Sequence, residues 1–107
     1  MRPVAWLLLA LVVTTACLGP KPQVRSAEVA PPEDGTARAT VVIENRGSGD
    51  VQVEVTVTLR YGDRVVGRAD TTTELKSRET ITVVIEVEVP DDASELSVEA
   101  EVVYPPD

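Results

Sequence analysis

The sequence predicts an all-β fold, an antiparallel β-sandwich of six to seven strands that follows an N-terminal signal segment. Three observations predict it. Apolar residues recur at every second position over several long segments, the period of a strand with one buried face. Val and Thr are abundant, and β-branched side chains suit a pleated, half-buried surface. Clusters of Gly, Pro, Asn and Asp break the chain every ~10–15 residues, a spacing that suits sandwiches.

The N-terminus stands apart from this pattern. Residues 1–17 read MRPVAWLLLALVVTTAC. Arg2 supplies a positive start, Val4 to Val13 form an apolar stretch, and Thr14-Thr15-Ala16 bring small residues up to Cys17. This is the layout of a secretory signal with its cleavage site. The apolar stretch is too short to span a bilayer, which needs about 20 such residues. Residues 1–16 are therefore read as the signal peptide and 17–23 as a tether. The domain itself is expected over 24–107. Pro20 and Pro22 stiffen the tether and are expected to lift the domain a short distance off a membrane.

The strands follow in order. Gln23 to Ala30 is a short first strand. Arg38 to Glu44 turns Ala39, Val41 and Ile43 inward. From Val51 to Tyr61 the alternation is unbroken, with Val51, Val53, Val55, Val57, Leu59 and Tyr61 on one face. Arg64 to Leu75 is less regular, and Gly67 inside it predicts a bulge or bend. From Glu79 to Val89 the inward residues are Ile81, Val83, Ile85, Val87 and Val89; Val84 breaks the pattern. Glu95 to Tyr104 closes the series, with Leu96, Val98, Ala100, Val102 and Tyr104 inward.

The connections carry turn chemistry. Pro31-Pro32-Glu33-Asp34-Gly35 and Asn45-Arg46-Gly47-Ser48-Gly49-Asp50 are loops, and Pro90-Asp91-Asp92-Ala93 is a turn. Gly62-Asp63 fits a two-residue hairpin, because glycine takes the positive φ such turns require. Lys76-Ser77-Arg78 is a short link. Strands with one apolar face each must bury those faces against one another, and two packed sheets achieve this.

Two resemblances add to this reading. Ala16-Cys17 resembles the end of a prokaryotic lipoprotein signal, although Thr14 stands where Leu is usual. The resemblance implies cleavage between Ala16 and Cys17 and lipidation of Cys17, with a diacylglyceryl group on its sulfur and palmitate as an acyl group of the anchor. An ordinary cleaved signal and an uncleaved anchor are the alternatives. Residues 37–90 resemble the immunoglobulin-like CARDB and FxLYD-type modules of bacterial and archaeal surface proteins. The matching residues are Val42-Ile43-Glu44-Asn45-Arg46-Gly47, the valine strand to Leu59, and Gly62-Asp63-Arg64-Val65-Val66-Gly67. Leu75-Lys76-Ser77-Arg78-Glu79 resembles their L-x-P-G-E turn, with Ser77 and Arg78 in place of Pro and Gly. The resemblance implies an immunoglobulin-like sandwich used for adhesion, spacing or assembly.

Composition narrows the function classes. The chain has no His and one Cys. This removes the usual Ser-His and Cys-His nucleophile pairs, the commonest zinc ligand, and any intrachain disulfide. No catalytic residue, metal site or cofactor is expected. The net charge is −8, and loss of Arg2 with the signal leaves −9. Such a balance disfavours nucleic acid and anionic lipid headgroups, which are read by basic patches. Glu86/Glu88 and Glu99/Glu101 each share a strand face and could supply oxygen ligands to calcium; a solvated outer face is the plainer reading. Arg60 and Arg64 are expected to pair with outward acids.

The expectation is thus a non-catalytic envelope lipoprotein that serves as a protein-binding or assembly module. It is held in a membrane by acylated Cys17, the outer membrane where the source has one and otherwise the outer face of the cytoplasmic membrane. Its partners are membrane lipid and an envelope protein. A structural spacer or chaperone-like module is the alternative.

Overall fold

The computed structural model describes residues 19–104. Six strands make up most of them: β1 (Pro22–Val29), β2 (Thr36–Asn45), β3 (Val51–Tyr61), β4 (Arg64–Leu75), β5 (Thr80–Glu88) and β6 (Ser97–Val103). They form two antiparallel sheets of three, ordered β1-β2-β5 and β4-β3-β6. The chain changes sheet after β2, after β4 and after β5. The result is an immunoglobulin-like sandwich with β2 and β3 at the centre of its two layers. The expected β3 and β4 coincide with the observed ones, and the other boundaries move by one or two residues.

The core follows the alternation. Ala37, Ala39, Val41 and Ile43 from β2 and Val53, Val55, Val57 and Leu59 from β3 are fully buried. Leu75, Ile85, Val87, Val89 and Ala93 complete the filling. Valine and alanine dominate, so each side chain contributes modest apolar area, about 25 cal/mol per Å².

Two irregularities reset the alternation. In β1 the pairing with β2 shifts between Val24 and Ser26, leaving Arg25 as the extra residue. The bulge lets both Val24 and Ala27, three positions apart, pack against the core. In β4 the pairing jumps from Leu59↔Gly67 to Arg60↔Val65, so the extra residue is Val66, next to the glycine expected to mark a bend. A Cβ on Gly67 would lie 2.7 Å from Val87 Cγ1 and 3.0 Å from the Glu88 carbonyl oxygen. Glycine at this position lets β4 approach β5 of the other sheet.

The turns explain their residues. Glu33 and Thr36 exchange two backbone hydrogen bonds of 2.9 Å around Asp34 and Gly35, whose φ values are 52° and 77°. Positive φ at both central positions is the type I′ pattern, for which Asp-Gly is a preferred pair. At the β3–β4 hairpin only Gly62 has positive φ, 64°, the pattern of a II′ turn. In the β4–β5 link the Glu79 N–H donates to the Lys76 carbonyl at 3.0 Å, and Arg78 has φ 61°. Positive φ at the third residue of a β-turn is where a type II turn takes glycine.

Candidate anchoring end and interaction surface

Ala16 and Cys17 lie outside the described residues. What the structure describes is where the chain beyond them is first held. The Gly19 N–H donates to Ser48 Oγ at 3.2 Å, and the Lys21 N–H to Asn45 Oδ1 at 2.9 Å. The Lys21 carbonyl accepts from the Arg46 N–H at 3.1 Å. Of the segment 17–23 read as a tether, residues 19–23 are therefore bound to the domain, and Pro22 already opens β1.

Asn45 organises this end. It is the one buried polar residue among those described. Its Oδ1 accepts from the Lys21 and Gly47 N–H groups at 2.9 and 3.0 Å. Its Nδ2 donates to the carbonyls of Gly49 and Lys76 at 2.8 and 3.3 Å. One amide thus joins the N-terminal segment, the β2–β3 loop and the β4–β5 link, with every donor and both acceptor sites used. Gly47 sits where any side chain would collide with the Gly19 carbonyl.

The antiparallel registers place all of these segments at one end of the sandwich, together with Tyr104 at the close of β6. Tyr104 was expected to point inward. It is instead 44% exposed, and its hydroxyl donates to the Pro20 carbonyl at 3.2 Å. β6 ends at Val103, so alternation no longer fixes the direction of residue 104. Tyr61 is half-buried against the core, with the Arg64 guanidinium 5.9 Å from its ring centroid.

The opposite end holds the 30–35 loop, the Gly62-Asp63 turn and residues 89–96. Glu33, Asp34, Asp63, Asp91, Asp92 and Glu95 gather there, with Arg64 joined to Asp92 at 3.3 Å. The other expected acid pairs are on exposed outer faces. Glu86 meets Arg38 at 3.4 Å, and Glu99 meets Arg60 at 3.2 Å. Among the described residues, no group of three or more acidic, His or Cys side chains is placed to hold a metal ion. Over β3 a shallow depression of about 310 Å³ exposes Thr56 and Thr58 between Arg60, Arg68, Glu99 and Glu101. Within it Arg60 pairs with Glu99, and Arg68 Nε donates to Thr58 Oγ1 at 3.4 Å.

The four edge strands differ in how they resist pairing. β1 and β4 carry bulges, which twist an edge away from a potential partner. β6 is regular, but Glu99 and Glu101 charge its outer face. β5 is regular, and from Thr80 to Ile85 it carries no charge. Val84, 54% exposed, lies opposite Thr40, while Val42 lies opposite Thr82. The outer face of the β1-β2-β5 sheet therefore has an uncharged strip of Thr40, Val42, Thr82 and Val84 that runs to an unbulged edge. Sequence reasoning noted Val84 as an exception without seeing that Val42 stands beside it.

No family model and no curated protein matches the chain. Solved structures do share its shape. A β-glucosidase of Streptomyces venezuelae, DesR, solved in complex with D-glucose, matches with a TM-score of 0.51 and 22% identity, over 66% of this chain and 10% of that one. A β-glucosidase of Erythrobacter marinus matches with a TM-score of 0.52 and 18% identity, over 78% of this chain and 13% of that one. The chain thus spans about a tenth of the length of these enzymes, and the likeness is one of fold.

Proposed function

We propose that this chain is a lipid-anchored module of the cell envelope that binds a protein partner and performs no chemistry of its own. The observation that carries the anchoring half is positional. Cys17 ends an export-type segment, and only Leu18 separates it from Gly19, where the domain takes hold of the chain. A thiol so placed suits a lipid. One acyl chain binds a membrane only marginally, and two or three hold it firmly. The host membrane is the outer membrane where the source has one, and otherwise the outer face of the cytoplasmic membrane.

The uncharged strip at the β5 edge supports the binding half. Main-chain groups along an unblocked edge accept a partner strand, and neighbouring side chains select it. Val84 and Val42 supply apolar contact there, framed by the Arg38–Glu86 pair.

Fractionation and co-purification test both halves together. The wild-type chain is expected in the membrane fraction, and Cys17→Ser in the soluble fraction. A stoichiometric protein partner from solubilised membranes is expected to be lost with Val84→Lys while the melting temperature holds. An unchanged distribution of Cys17→Ser removes the anchor.

A second reading is a structural spacer with no single partner. The similar structures favour it, because each carries a unit of this shape as a small part of a much longer chain. The absence of any stoichiometric partner would select it.

A further inference from the structure

We infer that the end of the sandwich next to Cys17 is a membrane-contacting surface that docks on anionic lipid headgroups and holds the domain upright. The inference rests on the lipid anchor proposed above and goes beyond it, because an anchor alone does not set the tilt of the domain.

The chain's negative total conceals how its charges are distributed. Lys21, Arg46, Lys76 and Arg78 are distant in sequence and all exposed. The fold gathers them at one end. Arg46 N–H donates to the Lys21 carbonyl at 3.1 Å, and Arg78 N–H to the Gly47 carbonyl at 3.3 Å. Among the described residues none of the four side chains forms an ion pair; the four bridges belong to Arg25, Arg38, Arg60 and Arg64. Among the described residues the carboxylates at this end are Asp50 and Glu79, with Glu74 and the Arg25-paired Glu44 beside them on the sheet faces. Asp50 accepts from the Ser77 N–H and Glu79 from the Lys76 N–H, both at 3.0 Å. Both are thus turned toward the backbone, while the cations are left to solvent. At the far end Glu33, Asp34, Asp63, Asp91, Asp92 and Glu95 gather, and the arginines nearest them, Arg64 and Arg38, are already paired with Asp92 and Glu86.

The anchor enters at the cationic end. Two peptide steps separate the Cα atoms of Cys17 and Gly19, a reach of about 7.6 Å at most. Gly19 and Lys21 are fastened to Ser48 and Asn45, so the lipid brings the cationic loops to within about a Debye length of the headgroups. Each Lys or Arg at an anionic surface is favoured there by about fivefold, and the acidic far end is repelled. The same field thus acts twice toward one orientation. Strands that run between the two ends then stand away from the membrane, and the uncharged Thr80–Ile85 stretch of β5 faces sideways. The net charge of −8 is an average over the chain, and this end of the molecule departs from it.

Hydrogen exchange of the acylated full chain tests the inference. Vesicles of equal parts phosphatidylglycerol and phosphatidylcholine are compared with vesicles of phosphatidylcholine alone. On the anionic vesicles, amides of residues 46–50 and 76–79 are expected to exchange at least about fivefold more slowly, whereas those of 62–63 and 90–95 do not change. High salt and the double variant Arg46→Glu/Lys76→Glu are each expected to abolish the slowing while the chain stays on the vesicles. Equal exchange on both vesicles, with the chain bound to each, overturns the docking surface and leaves the anchor standing. A native chain whose mass shows no lipid on Cys17 overturns both. Equal protection by soluble poly(glycerol phosphate) without vesicles shows a polymer as the occupant and likewise overturns it.

Discussion

Asn45 Oδ1 accepts the Lys21 N–H at 2.9 Å, which fixes the start of the domain to the end of β2, 24 positions further along the chain. The bond belongs to a set of four that no other side chain in the described residues provides. Asn45→Ala leaves the Lys21 and Gly47 N–H groups and the Gly49 carbonyl without partners, while the Lys76 carbonyl keeps the Glu79 N–H. Each costs about 1–3 kcal/mol unless water reaches it, so a loss of about 2–4 kcal/mol is expected. Chemical denaturation measures it. A loss below about 0.5 kcal/mol, the range of ordinary surface changes, contradicts the role given to Asn45.

Arg78 occupies a left-handed conformation that costs a non-glycine residue about 1–2 kcal/mol. Arg78→Gly removes that strain but adds freedom to the unfolded chain, which offsets about 0.5–1 kcal/mol. The net gain expected is about 0.5 kcal/mol, or a Tm rise of about 2–4 °C for a domain of this size. Ser77→Pro is expected to behave differently. The fixed φ of proline suits the turn, but the Ser77 N–H donates to Asp50 Oδ1 at 3.0 Å and that bond is lost. Parallel thermal melts compare the two, with Arg78→Gly above and Ser77→Pro below it.

Gly67→Ala places a methyl group 2.7 Å from Val87 Cγ1 and 3.0 Å from the Glu88 carbonyl oxygen. Val87 can rotate, whereas the carbonyl belongs to the strand itself. Overpacking of this kind costs about 1–3 kcal/mol. Urea titration reports it as a lower midpoint. The same change at Gly62 meets nothing within 4 Å, so its cost comes from positive φ alone.

The sandwich was legible because β3 and β5 obey the alternation, and because turn residues stand where the chain reverses. β1 was less legible. The Arg25 bulge puts an odd number of steps between Val24 and Ala27, and a strict period of two cannot register them as one face. β4 was recognised with its irregularity, and Gly67 pointed to the right place, although the extra residue is Val66. Asn45 stood in a loop-forming motif, but its four partners come from three separate segments and only the fold brings them together. The same holds for Lys21, Arg46, Lys76 and Arg78, whose sequence neighbours include enough acids to hide them in the total charge. Tyr104 misled because the strand stops one residue earlier. Cys17 owes its reading to its neighbours in sequence and to none in space.

Intact mass of the protein taken from its own cells tests the central claim most directly, since it reports the processing of the chain and the state of its one sulfur together. The account predicts a polypeptide that begins at Cys17 and carries the added mass of a diacylglyceryl group with or without a further acyl chain. A polypeptide that still begins at Met1, with an unmodified Cys17 thiol, would contradict it.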